Sequence, residues 1–305
     1  MNIVHAASKL KTKGKDVCLA IGFFDGVHLG HQQILRQTIA DAQKHGSLPL
    51  ALTFDKHPNV VVAPAKAPPL IYSLPQKLRA IESLGVGNIL LIEFNKQFSE
   101  QSGEEFIRCL ARDLGQIQSI CVGAEFVFGH KRSGNVALLK KLGAELDFQV
   151  HGLGAVSLDG QTVSSTRIRE AIRAGDLDAA SQMLGRTYAI SGIVVKGDKL
   201  GRQLGFPTAN LNVAGLILPP NGVYAAITRL KGKQYRAALN IGFRPTVAAG
   251  MQLRVEAHLL DFHGDLYGAE LEVEVCEKLR DERKFSSPEA LREQIARDVA
   301  AVKEG

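Results

Sequence analysis

Hydrophobic and polar positions follow two different periods along this chain. In the first part, short apolar runs are separated by longer segments whose apolar residues recur at helical spacing. The runs predict strands that are buried on both faces, at residues 17–23, 50–54, 88–94, 119–122 and 148–151. The segments between them predict amphipathic helices. This β-α-β alternation predicts an α/β domain with a parallel sheet and helices on both of its faces.

Near residue 185 the pattern changes to short segments in which apolar and polar residues alternate. These segments predict strands at residues 222–228, 235–240, 253–260 and 271–275, with turn residues between them. Regular short strands of this kind predict an antiparallel β-barrel or sandwich. A C-terminal helix is predicted after Ser287 as N-cap and Pro288 as first helical residue. We therefore predict two domains, residues 1–184 and 185–305.

The composition is that of a folded chain without a membrane segment. Of the 305 residues, 45% are hydrophobic and 22% are charged, which excludes intrinsic disorder. No apolar run reaches the ~18 residues that span a bilayer, and the N-terminus lacks the apolar stretch of a signal peptide. The four cysteines are scattered without a CxxC pair, which argues against a zinc site or a disulfide framework. We therefore expect a cytoplasmic protein with no membrane partner.

The net charge of +6 favours anionic partners but does not choose among nucleotides, nucleic acids and anionic lipids. The chain has no arginine-rich tract, no tryptophan and only 6% aromatic residues. It therefore has few of the side chains on which nucleic acid bases usually stack. We expect no nucleic acid partner, and the sequence does not indicate an oligomeric state.

The densest candidate site is the segment GFFDGVHLGH, residues 22–31, which follows a buried strand and opens a helix. In an open α/β sheet this junction lies where ligands bind, and free N–H groups at a helix start favour phosphate. Gly22, Gly26 and Gly30 allow a close approach of the backbone. His28 and His31 share a helix face and offer two donors to a transferring phosphoryl group. The alternatives are a metal-binding pair, two structural histidines, or a tight turn.

A second segment in the same part of the chain is SSTRIR, residues 164–169. The hydroxyl groups of a helix start and an arginine one turn later can grip a triphosphate. The residues concerned are Ser164, Ser165, Thr166 and Arg169. Taken alone, this segment is also typical of a solvated helix start.

A third segment, KGDKLGRQLGFPTANL, spans residues 196–211 in the second part of the chain. Its glycines supply backbone freedom and its basic residues supply positive charge, at positions Lys196, Gly197, Gly201, Arg202 and Gly205. The extended Phe206-Pro207 places Thr208 and Asn210 on one face of the following segment. Their oxygens are hard ligands suited to magnesium. The alternative is a basic hairpin turn that leads into an ordinary strand.

These segments resemble known signatures. GFFDGVHLGH resembles the GxFDGxHxGH signature of the nucleotidyltransferase superfamily with an HxGH motif, and SSTRIR is similar to its SSTxxR element. GRQLGFPTANL resembles the riboflavin kinase signature GRxLGFPTAN, and the similarity continues through LPPNGVYAA, ALNIGFRPT, VEAHLLDF, DLYG and LRDERKFSSPEAL. Across nearly its whole length, the chain resembles the bifunctional riboflavin kinase/FMN adenylyltransferases.

The resemblance implies a Rossmann-like nucleotidyltransferase domain followed by an antiparallel β-barrel kinase domain with a C-terminal helix. It implies phosphorylation of riboflavin to FMN and adenylylation of FMN to FAD, with ATP as co-substrate and Mg²⁺ as cofactor. The ligands it implies are riboflavin, FMN, FAD and ATP.

The resemblance also implies roles for single residues. His28, His31 and Arg169 would stabilise charge during adenylyl transfer, and Glu256 would be the base of the kinase reaction. The implied ATP-binding residues are Gly22, Phe23, Asp25, Gly26, Gly30, Ser164, Ser165, Thr166, Lys196, Gly197, Gly201, Arg202 and Gly205. The implied flavin-binding residues are Asp55, His57, Glu125, Arg280, Lys284 and Phe285, and the implied magnesium ligands are Thr208 and Asn210.

Two positions depart from the family pattern. Lys56 in TFDKHP replaces a proline, and Glu125 in GAEF occupies a position where the family has aspartate or asparagine. The longer carboxylate changes how one substrate end is held. Two other functions stay open at this point. One is an adenylyltransferase for another small phosphate such as phosphopantetheine, and the other is a flavin- or RNA-binding module with degenerate sites.

Overall fold

The computed structural model describes residues 1–245 and 251–304. By their internal contacts these residues form two compact units. The first unit holds Met1–Leu70 and Leu74–Ser165, and the second holds Ile71–Ser73 together with the residues that follow Ser165. The stretch 166–184, which the sequence pattern assigned to the first domain, belongs to the second unit by its contacts. The domain boundary at residues 184 and 185 was drawn from strand pattern and stays a prediction.

The first unit contains a parallel sheet of six strands. The strands of the first unit are β1 Asn2–Val4, β2 Val17–Ile21, β3 Leu48–Phe54, β4 Asn88–Ile92, β5 Ile117–Gly123, β6 Val127–Phe128, β7 Gly134–Asn135, β8 Gln149–Leu153, β9 Ser157–Leu158 and β10 Gln161–Thr162. The sheet has the order β1-β4-β3-β2-β5-β8, and the remaining strands form two small antiparallel pairs. The predicted parallel sheet is confirmed. The sequence pattern missed β1, which is too short and too exposed to give an apolar run.

Helices cover both faces of this sheet. They are α1 Leu29–His45, α2 Asn59–Val62, α3 Leu74–Glu82, α4 Lys96–Ser99, α5 Gly103–Leu114 and α6 Val136–Leu146. Apolar residues of α1 and α3 pack on one face, and those of α5 and α6 pack on the other. The predicted cap of α5 is confirmed, because the Ser102 hydroxyl accepts a hydrogen bond from the Glu105 amide.

The strand order creates a switch point at β2. From β2 the chain moves through α1 to β3 on one side, whereas β5 pairs with the other side of β2. Ligands of open α/β sheets bind at such a point, beyond the carboxyl ends of the strands. β2 ends at Ile21, earlier than predicted, because Phe24 adopts a left-handed conformation with φ 55°. The segment 22–31 therefore starts as a loop at the switch point.

The second unit contains a closed barrel of six strands. Its elements are α7 Ser165–Ala174, α8 Leu177–Leu184, β11 Ala189–Val195, α9 Leu200–Gln203, β12 Ala209–Asn212, β13 Gly222–Leu230, β14 Lys233–Pro245, β15 Met251–Leu259, β16 Glu270–Arg280 and α10 Pro288–Glu304. The strands pair antiparallel in the closed order β11-β12-β15-β14-β13-β16. The predicted antiparallel barrel and the C-terminal helix are confirmed.

Alternation along the barrel strands separates an apolar interior from a more polar outer wall. On β15, Val255, Ala257 and Leu259 are buried, while Glu256 and His258 between them are only half-buried. α10 begins after Ser287, whose hydroxyl accepts a hydrogen bond from the Ala290 amide, and it packs against β13 and β14. Within residues 1–245 and 251–304, no helix combines the length and apolar composition needed to cross a membrane.

Candidate active sites

The loop after β2 holds several residues in an unfavourable backbone conformation. Phe24, Gly26 and Val27 have φ values of 55°, 75° and 42°. A left-handed conformation is costly for a β-branched residue such as valine, and such strain persists only where surrounding groups impose it. Contacts with the rest of the first unit must therefore hold the loop in this strained conformation.

Side chains from three neighbouring elements hold the carbonyl groups of this loop. The Phe23 carbonyl accepts hydrogen bonds from Thr53 Oγ1 of β3 at 3.0 Å and from Lys77 Nζ of α3 at 3.2 Å. The Val27 carbonyl accepts one from Gln32 Nε2 of α1 at 3.0 Å. These bonds fix the loop against both of the helices that cover this face of the sheet.

The two histidines lie together at the start of α1. His28 is the N-cap, and its Nδ1 accepts a hydrogen bond from the His31 amide at 3.4 Å. The two rings stack with centroids 3.6 Å apart, and the Phe24 ring contacts His31 edge-on. A Cβ at Gly30 would lie 3.2 Å from the His28 ring, so the glycine makes room for this stack. Two imidazoles thus lie at a helix N-terminus, where the helix dipole favours anions.

The SSTRIR segment reaches this loop through one serine. Ser165 begins α7, and its hydroxyl donates a hydrogen bond to the Asp25 carbonyl at 3.2 Å. Ser164 is half-buried and Thr166 is exposed. Arg169 is buried within the second unit, one turn further along α7. Ser165 therefore contacts the loop, and the binding of a triphosphate by this segment stays a prediction.

The predicted flavin-binding residues of the first unit lie beyond other strand ends. Asp55 follows β3, where its carboxylate accepts a hydrogen bond from the Phe94 amide at 2.8 Å and pairs with Lys56 at 3.2 Å. The His57 ring contacts the Phe23 ring edge-on, with centroids 4.9 Å apart. Glu125 is exposed in the turn after β5. His57 is thus brought to the loop, and Lys56 gives Asp55 an ion pair that the usual proline would not provide.

Lys77 is a residue of this region that the sequence analysis missed. It is only 3% exposed, and its ammonium group donates to the Phe54 carbonyl at 2.8 Å as well as to Phe23 and Thr53. Burial lowers the pKa of Lys77 to about 8, although the carboxylates of Asp25 and Asp55 act in the opposite direction. A signal was present in the sequence, because Lys77 shares the helical face of α3 with apolar residues such as Leu74, Leu78 and Ile81.

The second site is a row of polar residues on the outer wall of the barrel. Strand pairing places Asn210 of β12 opposite Glu256 of β15, and Glu256 opposite Asn240 of β14. Directly paired residues share a face of the sheet, so the three side chains emerge on the same side. Asn240 was missed, because nothing in the sequence gives the register between strands.

This row lines a cavity of ≈ 310 Å³. Its polar lining includes Thr208, Asn210, Asn240, Glu256, His258 and Arg280. Its apolar lining residues come from the 198–206 loop, the barrel wall, the segment before α10 and α10 itself, and include Leu204, Phe206, Val223, Phe285, Leu291 and Ile295. Further charged residues also line it, among them Asp198, Lys199, Glu282, Arg283 and Asp298. The cavity therefore joins a polar wall with a carboxylate to an apolar region large enough for a planar ring system.

The glycine-rich segment folds closely against this cavity. A Cβ at Gly197 would lie 2.5 Å from the Asn210 amide nitrogen, and a Cβ at Gly201 would lie 2.4 Å from the Phe206 carbonyl oxygen. Gly205 adopts a φ of 91°. Arg202 lies with Thr208 in a smaller cavity of ≈ 80 Å³. Gly201 contributes to the larger cavity, whereas Lys196, Gly197, Gly205 and Lys284 are not among the described residues that line it.

Arg280 and Phe285 take part in a network between the barrel and α10. The Arg280 guanidinium donates to both carboxylate oxygens of buried Asp298, and Gln294 donates to the same carboxylate. The cationic groups of Arg280 and Arg283 lie 5.8 and 5.0 Å from the centre of the Phe285 ring. Arg280 therefore fixes the apolar end of the cavity, and Asp298 is a further residue that the sequence analysis missed.

Comparisons with known proteins match both units. A family model described as FAD synthetase matches residues 10–167, and one described as riboflavin kinase matches residues 184–305. A bifunctional riboflavin kinase/FMN adenylyltransferase of Haemophilus influenzae is 40% identical over 93% of this chain and 92% of its own length. The Escherichia coli protein of the same name is 36% identical over 100% of this chain and 97% of its own.

A solved structure resembles the chain over nearly its full length. It is a crystal structure from Streptococcus pneumoniae described as a macrolide-efflux protein, with a TM-score of 0.83, 28% identity, and coverage of 99% of this chain and 98% of that one. Its description applies to that protein, and what it shares with this chain is the fold. The two family models and the full-length relatives place the sites described above in one context: the chain belongs to the bifunctional riboflavin kinase/FMN adenylyltransferase family.

Proposed function

We propose that the barrel unit phosphorylates the 5′-hydroxyl of riboflavin with ATP, and that the α/β unit adenylylates the resulting FMN with a second ATP, releasing pyrophosphate. The observation that carries this proposal is the row in which Glu256 lies between Asn210 and Asn240 on the wall of the larger cavity. A carboxylate flanked by amides beside an apolar recess suits a substrate with a hydroxylated chain and a flat ring. The family match over both units supports the same two reactions.

Glu256 is the proposed base of the kinase reaction. A hydroxyl oxygen attacks the γ-phosphorus of ATP more readily when its proton is accepted as the new P–O bond forms. Glu256 lies on the outer wall of the barrel, at the polar side of the cavity, where a ribityl chain has access to it. Asn210 and Asn240 on either side would hold the carboxylate and the ribityl hydroxyls in line.

Magnesium is the proposed cofactor, and the residues present fit it. Thr208 and Asn210 supply hard oxygen atoms at one end of the larger cavity, and the backbone at Gly197 closes tightly over the Asn210 amide. Magnesium prefers few protein ligands together with phosphate oxygens. When bound there, it would neutralise charge on the transferring phosphoryl group.

The flavin ring is proposed to occupy the apolar end of the cavity. Phe285, Leu291 and Ile295 lie there, and the pairing of Arg280 with Asp298 holds α10 against the barrel. Lys284 is exposed beside Phe285 and would reach the ligand only from outside. Lys196, Gly197, Gly201, Arg202 and Gly205 are proposed to surround the ATP phosphates.

The adenylyl transfer needs no base, because the FMN phosphate is already an anion. Its catalysis is therefore positioning and charge stabilisation at the α-phosphorus of ATP. We propose that His28 and His31 supply this stabilisation at the start of α1, with Arg169 and the hydroxyls of the SSTRIR segment on the triphosphate. Asp55, His57 and Glu125 are proposed to hold the flavin substrate, and the loop from Gly22 to Gly30 the nucleotide. All four cysteines are free, in keeping with the proposed cytoplasmic location.

The test is a time course with purified protein, riboflavin, ATP and magnesium, in which the flavins are separated by chromatography. We expect FMN to appear before FAD. FMN without FAD would leave the kinase and contradict the adenylyltransferase. Absence of both products, with flavin bound, would favour a binding module instead. A second assay starts from FMN and from phosphopantetheine in parallel, and adenylylation of the latter alone would contradict the proposed acceptor.

A further inference from the structure

Lys77 forms a buried cationic junction between two strand ends. Its three hydrogen bonds go to the Phe23 carbonyl just beyond β2 and to the Thr53 hydroxyl and Phe54 carbonyl of β3. The Thr53 hydroxyl itself donates to the Phe23 carbonyl, so the three groups form a closed triangle. The Phe23 ring lies beneath the ammonium group at 4.3 Å from its centre. One ammonium group thus ties the start of the strained loop to the neighbouring strand.

This junction lies at the point from which the loop runs to His28. The strained residues Phe24 and Val27 come directly after Phe23, and α1 begins directly after His28. Any shift at Phe23 therefore changes the position of both histidines at the helix start. A displacement of about 1 Å in a positioned catalytic group lowers a rate by about 10²-fold.

Burying an ammonium group is costly, and the lowered pKa of Lys77 records this cost. An apolar side chain of similar length fills the same space, but it offers no donor to the Phe23 and Phe54 carbonyls or to the Thr53 hydroxyl. Because the group is nevertheless kept charged near neutral pH, the charge and its three donors are the property that the site uses.

We propose that Lys77 is a positioning residue for adenylyl transfer, whose ammonium group holds the loop 22–28 in the conformation that brings His28 and His31 to the phosphates of ATP. This inference rests on the proposed adenylyl transfer. It goes beyond that proposal, because it assigns the strained conformation of the loop to one ammonium group on α3. This group lies outside the GFFDGVHLGH and SSTRIR segments.

The charges around Lys77 define how the clamp responds to pH. Asp25 faces it from the loop and Asp55 from the end of β3, and Lys56 pairs with Asp55. The His57 ring also contacts the Phe23 ring, over which the ammonium group of Lys77 lies. When Lys77 loses its proton, it loses one of its three donors, so the rate of FAD formation should fall as the pH rises through about 8.

The experiment compares Lys77→Met, Lys77→Arg and the control Lys44→Met, which removes an exposed lysine of α1. FAD formation from supplied FMN and FMN formation from riboflavin are measured on the same preparations. For Lys77→Met we expect kcat for FAD formation to fall ~10²-fold, with KM for ATP changed less than about threefold and FMN formation unchanged. Lys77→Arg should recover most of the rate and remain active above pH 8, because arginine stays charged. Lys44→Met should match the wild type.

A second variant keeps the test valid if Lys77→Met does not fold. Thr53→Val removes the hydroxyl of the triangle and retains the shape, so we expect kcat for FAD formation to fall ~10-fold, a loss typical of one such hydrogen bond. The inference is overturned if Lys77→Met retains kcat within twofold, if FMN formation falls by the same factor, or if Lys77→Arg keeps the loss of rate above pH 8. A wild-type protein that forms FMN but no FAD would instead contradict the proposed adenylyl transfer, and Lys77 would then have no reaction to position.

Discussion

The two sites of this chain are built on opposite principles. In the α/β unit, the site is a loop whose residues Phe24 and Val27 lie in the left-handed region and whose carbonyls are held by side chains from β3, α1 and α3. In the barrel unit, Asn210, Glu256 and Asn240 lie on three regular strands and are aligned by strand pairing. The site of the α/β unit has a strained backbone that side-chain hydrogen bonds hold in place. The site of the barrel unit depends on the register between strands.

This difference matches the chemistry proposed for each unit. Riboflavin offers a neutral hydroxyl, so the barrel needs a carboxylate at a fixed distance, which a rigid strand provides. FMN offers a phosphate that is already charged, so the α/β unit needs donors that meet charge at the α-phosphorus. A helix start suits this need, because the dipole at a helix N-terminus favours negative charge.

Removal of the proposed base of the kinase reaction is the strongest test of whether the two units hold separate sites. We expect Glu256→Gln to lower the rate of FMN formation by ~10²–10⁴-fold, a typical loss for general-base removal. Conversion of supplied FMN to FAD should stay within twofold of the wild type. Both steps are followed by flavin chromatography. Glu277→Gln serves as the control, because Glu277 is an exposed glutamate of β16 outside the cavity. Equal losses of both steps in Glu256→Gln would refute the two-site model.

The second prediction tests the other site. His28→Ala removes the N-cap of α1 and half of the stacked pair, so we expect FAD formation to fall by ~10²–10³-fold, as for loss of a donor to a developing charge. FMN should then accumulate from riboflavin at the normal rate. His45→Ala is the matched control, because His45 is exposed at the far end of the same helix. Unchanged FAD production by His28→Ala would remove His28 from the mechanism.

The third prediction concerns the residue that only the barrel register identifies. Asn240→Ala should lower kcat for FMN formation by ~10- to 100-fold, because a hydrogen bond to a charged group contributes about 1.5–3 kcal/mol. Asn212→Ala on β12 is a matched control, since Asn212 is exposed, its side chain accepts a hydrogen bond from the Ala214 amide, and it is not among the described residues that line the cavity. A rate for Asn240→Ala within twofold of the wild type would show that the row needs only Asn210 and Glu256.

Most of the fold was accessible from the sequence because each part has a single clear period. The buried strands of the parallel sheet gave apolar runs, and the barrel strands gave alternation around residues such as Glu256. β1 gave no signal, because an edge strand of exposed residues has no apolar run. Strand limits were shifted wherever a turn conformation, as at Phe24, ended a run that was still apolar.

The sites were less accessible, for a physical reason that differs between the two units. Asn240 needs the pairing of β14 with β15, which is a long-range property that no local pattern encodes. Lys77 did have a local signal, a charged residue on the apolar face of α3, yet its partners come from the loop after β2 and from β3. Asp298 is similar, because its partner Arg280 lies on another element.

The last prediction uses the buried charge of Lys77 in the α/β unit. Its pKa is about 8 in the folded chain and 10.5 in an unfolded chain. Between these values the unfolded state binds a proton that the folded state has released, so the free energy of unfolding rises with pH. Relative to Lys77→Met, the wild type should therefore gain about 2 kcal/mol in the α/β unit between pH 7 and pH 9.5.

Hydrogen exchange of amides in β2 and β3 measures this gain, and tyrosine fluorescence provides the control. All five tyrosines, Tyr72, Tyr188, Tyr224, Tyr235 and Tyr267, belong to the second unit. Their unfolding signal should therefore show the same pH dependence in the wild type and in Lys77→Met. If the two proteins also show the same pH dependence of exchange in β2 and β3, Lys77 does not titrate as a buried amine. The ammonium group would then keep the ordinary pKa of a lysine and stay charged in the folded protein across this pH range.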